Sequence, residues 1–98
     1  VGETIEQRGR ATVGEVVILT LDRNLTSMAT RSFDHAPAEA PADDFVARLA
    51  RRIFAADADV TRVYAAANVI QVTRTGGWDT DAEGAIGAVV ADLYRFYD

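Results

Sequence analysis

Residues 45–79, FVARLARRIFAADADVTRVYAAANVIQVTRTGGWD, constrain the fold more than any other stretch of this chain. Within them a helical period gives way to a strand period and then to a Gly-Gly break. Phe45, Val46, Leu49, Ile53 and Phe54 recur at i, i+4 and i+8 with flanking partners, one apolar stripe of a helix over 44–57. Asp43 and Asp44 supply an N-cap and a first-turn acid. Arg48, Arg51 and Arg52 lie mostly off the stripe, as a solvated face would. Residues 60–64 and 69–73 are β-branched and aliphatic, two strands of a hairpin joined by a link over 65–68. Gly76-Gly77 ends the second strand.

The flanking segments complete the pattern. Residues 3–10 are polar with modest strand character and suit an edge strand that Gly14 breaks. Residues 16–21, VVILTL, form a strong strand, and Asp22-Arg23-Asn24 is a turn candidate. Residues 28–33 can pair back as a third strand, and 34–44, with both prolines, read as a loop. Thr80 to Glu83 matches a capping box. The helix after it shows Ile86, Val89, Val90, Leu93 and Tyr97 on one face. Gly84 and Gly87 with Ala88 and Ala91 suggest a small-residue strip for close approach. The order β-β-β-α-β-β-α predicts an α+β two-layer sandwich: a mostly antiparallel sheet with two helices on one face.

At 98 residues the chain predicts a single domain, and 49% hydrophobic residues suffice for one core. Such a core leaves roughly 5–10 kcal/mol of net stability. The net charge is −5, and all 10 basic residues are arginine, so phosphate backbones are repelled on average and nucleic acid is not expected as a partner. The absence of cysteine excludes disulfides, thiolate metal sites and thiol nucleophiles. No apolar run near the start is long enough for a signal peptide or a membrane span, so the expectation is a cytoplasmic chain that binds no membrane. Val1 is compatible with removal of an initiator Met or with a piece of a longer protein; both stay open.

Leu49-Ala50-Arg51-Arg52-Ile53-Phe54, then Val60-Thr61-Arg62-Val63-Tyr64, then Asn68-Val69-Ile70-Gln71-Val72-Thr73-Arg74, then Trp78-Asp79, follow one another in this chain. That succession, with Ser32-Phe33-Asp34 upstream, resembles the N-terminal domain of Nfu/NifU-type iron–sulfur scaffold proteins over most of residues 15–97. Gln71 and Arg74 stand where that pattern has Thr and Lys. Ala11-Thr12-Val13-Gly14 occupies the region of an early Thr-Pro-Asn-Pro turn, and Ala-Asp-Ala-Asp precedes Val60 in place of an Ile-x-Gly step. The cluster-holding Cys-x-x-Cys lies in a different domain of those scaffolds and has no counterpart here. The resemblance implies an accessory domain that faces iron–sulfur scaffold or client proteins; it does not imply cluster assembly on this chain.

No constellation of catalytic residues is expected. His35, the one histidine, sits beside Asp34 in a Pro/Ala loop without a second ligand or nucleophile. Residues 79–84, DTDAEG, mimic the first half of a calcium loop, but the twelfth position is Val90 rather than a bidentate Glu. Acids at a helix N-terminus are the plainer reading, with a small acidic ion- or ligand-binding domain as the alternative. Asp57 and Asp59 suit turn chemistry, and Trp78 suits a plug between helix and sheet. Asn24-Leu25-Thr26 is a glycosylation sequon by pattern alone. No catalytic residue, metal or cofactor is therefore assigned.

The outer face of the sheet is the stronger lead. Alternation sends Val63, Ile70 and Val72 toward the helices and Arg62, Tyr64, Val69, Gln71 and Thr73 to the other side. The strand 16–21 is apolar in both alternating sets, Val17, Leu19, Leu21 and Val16, Ile18, and two helices can cover only one of them. Val16, Ile18, Arg62, Tyr64, Val69 and Gln71 are thus the candidate partner-binding residues of a non-enzymatic interaction module. Self-association as a homodimer would cover the same face.

Overall fold

A computed structural model describes residues 7–22, 30–39 and 44–91. The elements are β1 (Gln7–Val13), β2 (Val16–Leu21), β3 (Thr30–Phe33), α1 (Phe45–Ala56), β4 (Val60–Ala66), β5 (Val69–Arg74) and α2 (Thr80–Ala91). The strands form one five-stranded sheet in the order β1-β2-β5-β4-β3. Every neighbouring pair is antiparallel. Both helices cover the same face, giving the α+β two-layer sandwich that the order of elements predicts.

The core forms where the two periods meet. Val17, Leu19 and Leu21 of β2, Ile70 and Val72 of β5, and Val63 and Ala65 of β4 are buried under Val46, Leu49, Ala50 and Ile53 of α1 and Ile86 and Val90 of α2. A bulge at Thr61 shifts the register between Val60 and Arg62. The extra residue changes the strand's phase. Val60 and Val63, three apart, are therefore both buried, while Arg62 stays outside.

Capping residues fix the helix starts. The Asp44 carboxylate accepts from the Ala47 amide at 3.1 Å and caps α1. It also receives both terminal nitrogens of Arg31 at 3.1 Å, tying β3 to the helix start. Asp79, not Thr80, caps α2: its carboxylate accepts from the Ala82 amide at 2.7 Å. The capping box read at Thr80 is thus replaced by a simple cap, because Asp is as good a cap as Thr and stands one step earlier, and Ala82, three residues on, has no polar side chain to reach back. Glu83 instead accepts from the Thr12 hydroxyl of β1 at 2.5 Å.

Other expectations need correction. The first strand, described over Gln7–Val13, runs past residue 10 where the sequence suggests 3–10; residues 3–6 lie outside the described residues. It continues through Ala11, Thr12 and Val13 because Gly14, with φ +59°, begins a two-residue turn directly into Val16. The link between β4 and β5 is two residues, Ala67-Asn68, rather than four, since Ala65 and Ala66 pair with Ile70 and Val69. Two members of the small-residue strip do not join a close approach: Ala88 is exposed and a Cβ on Gly84 would meet open space, while Gly87 is buried. Residues 23–24 of the turn candidate, 28–29 of the third strand, Asp43, the sequon, Leu93 and Tyr97 lie outside the described residues.

Candidate functional site

Strand pairing carries the candidate residues into three rungs across the face turned away from the helices. The first joins Val13, Val16, Thr73 and Arg62. The second joins Ala11, Ile18, Gln71, Tyr64 and Ser32, and the third Gly9, Thr20, Val69, Ala66 and Thr30. All six sequence-derived candidates, Val16, Ile18, Arg62, Tyr64, Val69 and Gln71, therefore share this face. Val16, Ile18, Tyr64, Val69 and Gln71 are half-buried, and Arg62 is exposed. Val13 belongs to the same face and is 66% exposed, the largest exposure of a big apolar side chain among the described residues. Placing the first strand too early hid it; the alternation Gly9, Ala11, Val13 would have found it.

Val16, Arg62, Tyr64, Gln71 and Thr73 line an open depression of about 350 Å³ between the first two rungs. The Arg62 guanidinium carbon lies 6.0 Å from the centre of the Tyr64 ring, within cation–π range. Its Nε donates to the Ser32 hydroxyl at 3.2 Å. No aspartate or glutamate stands in the three rungs, although the chain carries 15 acids.

The remaining charged groups have structural roles. Arg74 donates from Nε to Asp57 at 2.7 Å, from one terminal nitrogen to the Gly77 carbonyl at 2.9 Å, and from the other to Asp59 at 3.4 Å. It thereby fastens the end of α1 to the turn leaving β5. The Asp57 carboxylate also accepts from the Asp59 amide at 2.9 Å, the turn chemistry read from the sequence. Burial alone would raise the Asp57 pKa, but the hydrogen bonds from Arg74 and Asp59 and the charge of Arg74 hold it below its ordinary value. The same opposition, with Arg31 and the Ala47 amide, lowers Asp44.

Trp78 packs against the core, donates from its indole nitrogen to the Glu15 carbonyl at 2.9 Å, and lies 5.9 Å from Arg74. This is the plug expected of it. Among the described residues His35 bonds to Asp34 alone, at 2.6 Å, and both side chains are more than four-fifths exposed. The acids of 79–83 cap or begin α2, the plainer of the two readings of this segment. Among the described residues, no cluster of three or more His, Asp or Glu is arranged to hold a metal. Among them, too, no helix is long and apolar enough to cross a membrane.

No family model matches the chain, and no curated protein matches it. Among solved structures, the crystal structure of protein SAV1430 from Staphylococcus aureus is similar, with a TM-score of 0.65 at 14% identity. The match covers 86% of this chain and 96% of that one. The likeness is one of fold alone.

Proposed function

We propose that this chain is a non-enzymatic protein-interaction module that binds through the outer face of its sheet. The observation that carries the reading is that exposed Val13 and half-buried Val16, Ile18, Tyr64 and Val69 lie together on one face, whose rungs hold no carboxylate among the described residues, in a chain of net charge −5. Removing apolar surface of this kind from water contributes roughly 25 cal/mol per Å² before the costs of association are met. In this mechanism Ile18, Tyr64 and Val69 are buried against the partner, and Arg62 orients it.

The sequence resemblance to the Nfu/NifU N-terminal domain supports a narrower form: the partners are iron–sulfur scaffold or client proteins, and the chain acts as an accessory to their maturation. A cytoplasmic setting belongs to the same proposal. Having no cysteine, the chain would contribute contacts and no thiolate ligands.

The test is capture from native lysate by the tagged chain, compared with the Tyr64→Ala/Val69→Asp double variant and read by mass spectrometry. Iron–sulfur proteins enriched by the wild type alone are the expected result. Equal capture by a folded double variant would overturn the face as the binding surface. An eluate holding only the chain itself would favour a homodimer.

A further inference from the structure

We propose that the outer face accepts a partner segment bearing a carboxylate beside apolar side chains, with the carboxylate seated at Arg62 in the depression between β2, β5 and β4. The inference rests on the outer face being the interaction surface and adds the chemistry of what it binds.

The lining is biased toward donors. Arg62 uses Nε on Ser32, leaving its two terminal nitrogens without a hydrogen-bond partner among the described residues. These nitrogens form the planar fork that suits a carboxylate. The Gln71 amide, the Thr73 hydroxyl and the Tyr64 hydroxyl share the depression, and each can donate. Tyr64 holds the guanidinium over its ring, which limits the freedom lost on binding.

Charge complementarity selects the occupant. The other well-placed arginines already have acids: Arg31 has Asp44, and Arg74 has Asp57 and Asp59. Among the described residues, no carboxylate stands in the rungs of its face to pair Arg62. A second copy docked face to face by a two-fold axis would bring two Arg62 side chains and no acid to either, because both copies present the same surface. A different chain with an Asp or Glu among aliphatic or aromatic residues satisfies Arg62 and covers Val16, Ile18 and Val69 at once. With a net charge of −5 on the whole molecule, the acid is held by short-range donors rather than steered from a distance.

A random-peptide phage library panned against the full chain tests this. The expected result is enrichment of peptides with Asp or Glu next to aliphatic or aromatic residues. Arg62→Gln should weaken a selected synthetic peptide by roughly 10-fold or more, the scale of a lost charged hydrogen bond. Arg62→Glu should shift selection toward Lys or Arg, and circular dichroism checks that both variants fold. Apolar peptides without acids that depend on Tyr64 and Val69 but not on Arg62 would overturn the carboxylate inference and leave the interaction face standing. Peptides that still bind the Tyr64→Ala/Val69→Asp variant, or no enrichment at all, would overturn both. A concentration-dependent dimer in sedimentation that the double variant abolishes would assign the face to a second copy instead.

Discussion

Gly84→Ala should stabilise this protein, and the size of the effect follows from where the residue sits. Gly84 lies inside α2, and a Cβ added there has no heavy atom within 4 Å outside its own helix. The substitution therefore gains no packing and meets no clash. What remains is the difference in helix propensity, about 1 kcal/mol in favour of Ala. For a domain of this size that corresponds to a rise in Tm of roughly 4–8 °C. Urea unfolding followed by circular dichroism should show a higher midpoint at unchanged slope, since no surface is newly buried. An unchanged or lowered midpoint would mean that Gly84 faces a neighbour after all, and the close-approach strip suggested by the sequence would return.

Ala67→Gly should also stabilise, by roughly 0.5–1 kcal/mol, because Ala67 holds φ +53° at the first position of a two-residue turn, where the β1–β2 turn has Gly14; a thermal melt checks it. Asp44→Ala should cost about 1 kcal/mol from the lost cap alone and more through the orphaned Arg31, read in the same melt. Asp57 and Asp44 both have lowered pKa values, so their contribution is present above the ordinary value of 3.8 and is lost as pH falls through the folded-state values. Asp57→Asn should flatten the stability-versus-pH curve below about pH 4, as urea midpoints across that range would show.

The parts of the fold legible in the sequence are those where burial writes a period. The strand β2 has the bounds its VVILTL run suggests, and the α1 stripe supplies Val46, Leu49 and Ile53 to the core. The outer-face residues were legible for the same reason, since each is the neighbour of a buried one. Elements with weaker periods were misplaced. The edge strand β1 is mostly polar and packs little, so nothing in it marks its end until Gly14. Ala65 and Ala66 have low strand propensity, yet Ala65 is fully buried where α1 packs across β4. The Arg74 clamp joins residues from two turns, and no local spacing announces such a contact. The burial of Val60 depends on a bulge at Thr61 that only the pairing register reveals.

The most direct test of the interaction face is a methyl-resolved NMR titration of the isotope-labelled chain with a protein that it captures. The account predicts that the methyl signals of Val13, Val16, Ile18 and Val69 shift or broaden while those of Val17, Leu19 and Val72, on the helix side of the same strands, hold their positions. Perturbations confined to the helical layer, with the outer-face methyls unmoved, would contradict it.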